Sequence, residues 1–473
     1  MTGATDLADP TVRAELSARL AEVYAGRPVL MAIGALAAAT GPVRWLRGLG
    51  CPVLVVCTMR GAGEVPAPDE AVVVQVPAPA TASVTEELRT HDRLFRTLPP
   101  FALEAIEDFD PACRGVWSAT PFVTSDQPIA GRPVLGGRPA AFMALEDKLL
   151  AEELWTAAAV PAAPSRIVPV DRAALAAAAA EVAGPLGSVW SGDARGGFNG
   201  GGNFVRWVTD EHEAAAAFAF FAPRCDRVRV LPFLDGVPCS IHGMVLPDGT
   251  AVFRPVEIAM LRDPVRHRFV YGGLGTFWDP PAADRDAMRE VARRVGEQLR
   301  QRYSYRGGFG VDGILTADGF RPTELNSRMS AGLTTVAAVD RAFMSLLQAN
   351  LLAGIDTGLD VASLESLVPL MDSHRSGRPT ALVERLHVGE AHEFPVAWDG
   401  RRLQPSPVRT DDVVAVADTP SGGFASIVPC SFMRHGDRLA VVDLALMELL
   451  DQEYDAGFGP LVAAPDVTRP PPP

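Results

Sequence analysis

Four polar residues in the second half of this 473-residue chain, Asp312, Glu324, Asn326 and Arg328, have the types and the spacing for metal and phosphate chemistry. Val311, Ile314 and Leu315 favour a strand, Ala317, Asp318 and Gly319 supply a turn with glycine where a positive φ is wanted, and residues 320–325 read as the returning strand. A three-residue turn sets Asp312 opposite Glu324 on one sheet face. Opposed side chains have Cβ atoms ~5 Å apart, and two carboxylates there repel by roughly 3 kcal/mol at an effective dielectric of about 20, so a cation belongs between them. The period of two carries Glu324, Asn326 and Arg328 along the same face. Hard oxygen donors of this kind suit Mg²⁺, and the guanidinium suits a phosphate or an acyl phosphate. The alternative is a solvated hairpin whose charges face water.

Asp312 followed by Glu324-Leu325-Asn326-Ser327-Arg328 resembles the metal-binding signature of the ATP-grasp superfamily. The resemblance implies ATP and Mg²⁺ as cofactors, with Asp312, Glu324 and Asn326 holding the metal and Arg328 as the catalytic residue that stabilises the transferring phosphoryl group. Of 43 lysine and arginine residues only Lys148 is a lysine. In a chain so biased toward arginine, it marks either a place where a planar guanidinium does not fit or a chance survivor. Glu146-Asp147-Lys148 opens an expected helix, and the segment through residues 158–164 resembles the family pattern of a lysine-initiated helix ending in an Ala-Val-Pro turn. On that match Lys148 contacts ATP phosphate; otherwise it is a surface lysine.

Gly196, Gly197, Gly200, Gly201 and Gly202 fall within seven positions. Each glycine costs roughly 0.5–1 kcal/mol relative to alanine in a regular element, so the run suits a loop whose N–H groups close over phosphates, or a flexible linker. The preceding strand lacks the family's second lysine and offers Trp190 and Ser191, leaving Arg195 as the nearest cation. Residues 227–233 resemble the strand along which adenine lies, with backbone contacts near Leu231 and Phe233. Glu257 is a candidate for an amine substrate or metal, or else forms a surface salt bridge. Arg268, in the basic stretch 262–268, is a candidate for triphosphate or a substrate carboxylate, or belongs to a solvated loop.

These residues need elements to position them. Residues 11–25 have helical apolar spacing, 27–33, 51–57 and 71–76 read as strands, and 34–48 and 85–98 as helices, a βαβ arrangement. No Gly-x-Gly-x-x-Gly follows the first strand, so dinucleotide binding is not expected. The expected organisation is a Rossmann-like domain over 1–140 of the kind that precedes ATP-grasp cores, a small ATP-grasp subdomain with the glycine loop over 141–230, and a large subdomain with the metal site over 231–353. A small α+β domain over 354–465 and a disordered tail over 466–473 complete it. The implied fold class is mixed α/β and α+β, two α+β subdomains clasping ATP.

A net charge of −14 and a pI near 5.1 argue against non-specific nucleic-acid binding. No stretch approaches a membrane span, and the first ten residues lack signal-peptide character, which makes the cytoplasm the expected compartment. Six dispersed cysteines suggest neither a disulfide framework nor zinc. The resemblance implies a ligase that joins a small-molecule carboxylate to an amine, amino acids or short peptides, through an acyl phosphate with release of ADP and phosphate. A homodimer is left open. A non-catalytic ATP-binding protein and an ATP-grasp kinase are the alternatives.

Overall fold

The computed structural model describes residues 5–468 except 196, 198, 201 and 385. At its N-terminal end five parallel strands lie in the order Val72–Gln75, Val53–Met59, Val29–Ala35, Val116–Ala119 and Val134–Leu135. The middle strands are apolar at successive positions because both faces are covered. Val29, Met31, Val53 and Val55 face the helices Pro10–Leu20 and Thr40–Gly48, whereas Leu30, Leu54 and Val56 face Phe95, Ala102 and Ile106 of Val84–Arg96 and Pro100–Phe109. The helix Pro100–Phe109 falls where the sequence suggested no element.

A ten-stranded antiparallel sheet forms the centre of the molecule. Its strand Val237–Val245 is buried at every position and lies between Gly307–Thr316 and Thr250–Asp263. One face takes the helix Ala282–Tyr303, whose Met288, Val291, Val295 and Leu299 recur at three- and four-residue intervals. The other face takes the helices Ala331–Val336 and Arg341–Leu352 through Leu333, Phe343 and Leu347. Beyond Arg268–Gly275 the sheet continues into Gly377–Val383, Gly422–Val428, Val413–Thr419, His392–Trp398 and Leu403–Pro405, so the C-terminal strands extend the central sheet.

A third, four-stranded sheet stands apart in the order Arg166–Pro169, Arg227–Pro232, Ser188–Gly192 and Val205–Val208. The helices Arg172–Val182 and Glu211–Phe221 cover one of its faces, each started by an aspartate, Asp171 or Asp210, whose carboxylate accepts a backbone N–H in the first turn. A cleft of about 960 Å³ is lined by residues of both this sheet and the central one. No helix is long and apolar enough to cross a membrane among the described residues.

Two expectations change at this level. The loop in the basic stretch 262–268 is shorter than expected: only residues 264–267 turn, while Thr250–Asp263 runs through its start and Arg268–Gly275 returns from its end. Lys148 does not open a helix; it sits in the turn before Leu150–Ala157. Residues 469–473 of the expected tail lie outside the described residues.

Candidate active site

The hairpin Gly307–Thr316 and Gly319–Asn326 sets Asp312 opposite Glu324, Val311 opposite Leu325 and Gly310 opposite Asn326. The expected pair is present, reached by a different route. The turn is two residues long, with Gly319 at φ +95° already paired to Thr316, and a β-bulge between Pro322 and Glu324 restores the register. The residue left over is Thr323. Its hydroxyl donates to the Asp312 carbonyl (3.2 Å), and its own carbonyl accepts from the Arg229 guanidinium (2.7 Å), tying the hairpin to the small sheet.

The two carboxylates differ in their partners. Glu324 is ion-paired with the Lys148 ammonium, and the lysine is buried. Asp312 accepts from the Ser240 hydroxyl (2.6 Å) on the neighbouring strand and from the Asn326 amide (2.9 Å). Burial first, and then the Glu324 charge across the hairpin, push the Asp312 carboxyl up to about 6. Burial is the larger cause and the opposed Glu324 charge adds to it, so a cation at the pair would ease the ionisation of Asp312. Among the described residues no cluster of three or more His, Cys, Asp or Glu side chains could cage a metal. Two carboxylates and an amide oxygen instead fit Mg²⁺, which completes its shell with phosphate oxygens and water.

Arg328 lies two residues beyond the end of the strand Gly319–Asn326, in a bend, and is locked in place. Its guanidinium is ion-paired with Glu146 and lies over the Phe122 ring, 5.3 Å from the centroid. Glu146 is also ion-paired with Arg138, which donates to the Ser327 carbonyl (3.1 Å). Burial pushes the Glu146 carboxyl upward, but the Arg328 and Arg138 guanidiniums outweigh it and hold the group below its usual range. A second buried guanidinium, Arg229, projects from the small sheet, donates to the Lys148 carbonyl (3.2 Å) and pairs with Glu152 (3.0 Å). Arg229 stands directly opposite Ser191, where the resemblance expected a second lysine. The cleft therefore carries cations although the molecule is acidic.

Behind Asp312 lies His242, whose Nε2 is 3.1 Å from Ser240 Oγ. Because the serine donates to Asp312, the imidazole donates from Nε2 whenever the aspartate is ionised. Burial pushes His242 down to about 3, so the ring is neutral. Its niche exists because Gly310 and Gly332 have no side chains: a Cβ on them would come within 2.8 Å and 2.4 Å of the ring.

Leu231 and Phe233 line the far part of the cleft, where Trp207, Phe233 and Phe269 form an apolar wall. Trp207 and Phe233 have centroids 4.5 Å apart, Phe269 stacks on Trp207 at 5.7 Å, and the Arg262 guanidinium lies over Phe233 at 4.8 Å. A planar heterocycle matches such a wall. Of the expected glycines, Gly200 and Gly202 line the cleft, and Gly200 N–H donates to the Thr85 hydroxyl (3.2 Å). The Gly197 carbonyl accepts from Arg89 (2.9 Å). Gly196 and Gly201 lie outside the described residues.

Two expected residues are placed elsewhere. Arg195 is not among the cleft residues, because Asp226 (2.9 Å) and the Pro223 carbonyl draw its half-exposed side chain away. Glu257 is fully buried against Arg438 (2.7 Å) and accepts from Leu439 N–H (2.7 Å), so it caps the helix Leu439–Tyr454 and does not reach the cleft. Arg268 does line the cleft, paired with Asp263 (3.2 Å). Sequence reasoning passed over Glu146, Arg229, Ser240, His242 and Trp207. The alternation along residues 237–245 gave the one available signal, since Ser240 and His242 share a face of an otherwise apolar strand.

No protein-family model matches the chain, and no curated protein matches it. Solved structures do. A phosphoribosylamine–glycine ligase from Thermotoga maritima superposes with a TM-score of 0.53 at 12% identity, covering 89% of this chain and 96% of that one. An L-amino acid ligase from Bacillus licheniformis gives 0.48 at 14% identity, covering 90% and 97%. An N5-carboxyaminoimidazole ribonucleotide synthetase in its ADP complex gives 0.46 at 12% identity, covering 91% and 98%. Likeness at such identity speaks to architecture, and the architecture is that of the ATP-grasp fold.

Proposed function

We propose that this chain is an ATP-dependent ligase that joins a small-molecule carboxylate to an amine, releasing ADP and phosphate. The observation that carries this reading is the opposed pair Asp312 and Glu324 beside Asn326 and Arg328 at the cleft. The name of the Thermotoga maritima neighbour, which pairs an amine with an amino acid, supports it.

In the proposed reaction an oxygen of the carboxylate substrate bonds to the γ-phosphorus while the bond to the bridging oxygen of ADP breaks. The amine nitrogen then bonds to the acyl carbon, phosphate leaves with the C–O electron pair, and the amine loses a proton. Asp312, Glu324 and Asn326 would hold Mg²⁺, which neutralises phosphate charge when bound. Lys148 and Arg229 bring positive charge to the phosphate end, and Arg328, fixed by Glu146, faces the charge that grows on the transferring group. The aromatic wall accepts the base. No protein nucleophile is required.

The test is release of ADP and phosphate with Mg-ATP across a panel of carboxylates and amines, for the wild type and Glu324→Ala. Substrate-dependent release of both products, reduced at least ~100-fold by the substitution, is expected. ADP without phosphate would replace the ligase with a kinase, and nucleotide binding without turnover on any pair would favour a binding protein.

A further inference from the structure

Next to the cleft is a second cavity of about 360 Å³. Ser83, at the start of an N-terminal helix, the basic turn and the C-terminal strands all contribute to its wall, and Asn203, Arg266, Arg268, Tyr271 and Glu384 line both spaces. The two spaces therefore adjoin across these side chains. Asp312 and Glu324 line only the cleft, so the lobe lies off the metal hairpin. Its N- and C-terminal walls are tied together, Ser421 donating to Glu87 (2.9 Å) and Thr81 N–H to the Pro420 carbonyl (2.8 Å).

The charges at this junction balance only when Glu384 is counted. Arg266 and Arg268 share one fully buried carboxylate, Asp263, at 3.2 Å each, and both donate to the Phe458 carbonyl. Two guanidiniums against one carboxylate leave one positive charge, in a chain whose net charge is −14. Both arginines are half-exposed and can donate to a further acceptor. Glu384, exposed and lining the same space, supplies a negative charge. A dianionic phosphate would satisfy the arginines but face the Glu384 carboxylate. A group with one carboxylate and one ammonium matches both.

We propose that this junction holds the head group of the amine substrate, which is an amino acid or a short peptide with a free carboxylate. The carboxylate lies on Arg266 and Arg268, the ammonium lies beside Glu384, and the remainder of the molecule occupies the lobe. The assignment rests on the ligase reading for its place in the reaction, but the binding site stands on its own geometry.

Binding is measured by calorimetry on the full chain without ATP, using the twenty amino acids and L-alanyl-L-alanine, each beside its C-terminal amide. At least one free acid is expected to bind tenfold or more tightly than its amide, and Arg266→Ala/Arg268→Ala should erase that preference. Because the double variant strips Asp263 of both partners, Glu384→Gln, at an exposed site, serves as the second probe. It should weaken the free acid at least fivefold and leave the N-acetylated acid unchanged. No preference for any acid over its amide, a preference that survives the double variant, or indifference to Glu384→Gln would each overturn the proposal. A protein that shows the preference yet turns over no substrate pair keeps this site and loses the ligase reading. Turnover that is equally efficient with amines lacking a carboxylate does the reverse.

Discussion

Glu146 has no chemistry of its own to perform, yet two guanidiniums converge on it and one of them is Arg328. Glu146→Gln leaves both cations without their carboxylate in a buried setting and is expected to cost about 3–5 kcal/mol in chemical denaturation. Arg328→Ala leaves Glu146 paired with Arg138, so it should cost far less stability while lowering kcat at least ~100-fold. The pH dependence follows from the sign of the shift. The folded-state pKa of Glu146 lies below its unfolded value, so its contribution is present above the ordinary carboxylate range and is lost as pH falls through the lowered folded value. Comparing wild type and Glu146→Gln should show the stability gap closing on that acid limb, and a constant gap would remove the ion-pair explanation. Asp312 and Glu324 were legible in the sequence because a hairpin ties residue identity to pairing. Glu146 was not, since its partner Arg328 is 182 residues away and no local period connects them.

At the scale of elements, the site is a hairpin laid against two other strands, and its fit depends on residues that are small. Gly332 shows this most sharply. A Cβ there would sit 2.4 Å from Cε1 and Nε2 of His242, a residue only 1% exposed. Gly332→Ala is expected to lose about 1–3 kcal/mol by overpacking. In a background where His242 is also alanine the loss should shrink by at least ~1 kcal/mol, because the clash no longer has a partner. Additive losses in that double-mutant cycle would mean the penalty arises from the backbone of the helix Ala331–Val336 instead. Long helices such as Ala282–Tyr303 and Leu439–Tyr454 were readable from their 3.6-residue period. The strand Arg268–Gly275 was not, because Arg266 and His267, which turn the chain before it, and Arg268, which opens it, give its start the appearance of a polar loop. The bulge at Thr323 was hidden for another reason: turn length and bulge shift the register in opposite senses, so Asp312 meets Glu324 with or without both.

At the scale of the whole molecule, local composition suggested a self-contained C-terminal part, because turns rich in proline and glycine set it off and nothing local reveals which sheet its strands join. In the structure Gly377–Val383 pairs with Arg268–Gly275, and a single apolar cluster combines Ala259, Leu261 and Phe277 with Ile427, Leu439 and Leu446. The buried Glu257 carboxylate finds its cation, Arg438, and its backbone donors, Leu439 and Ala440, entirely within that C-terminal part. Removing residues 376–473 would therefore open a sheet edge, expose an apolar face and leave a fully buried carboxylate unpaired, the last alone costing about 3–5 kcal/mol. Since a domain's whole stability is about 5–15 kcal/mol, the shortened chain is expected to aggregate or to melt without a cooperative transition. Native-state hydrogen exchange on the intact chain gives the complementary reading. Amides of Arg268–Gly275 and Val413–Thr419 should lose protection together as denaturant rises, within about 1 kcal/mol of one another. If the C-terminal strands open several kcal/mol below the central ones, or the shortened chain melts cooperatively as a soluble monomer, the two parts are energetically separate despite sharing a sheet.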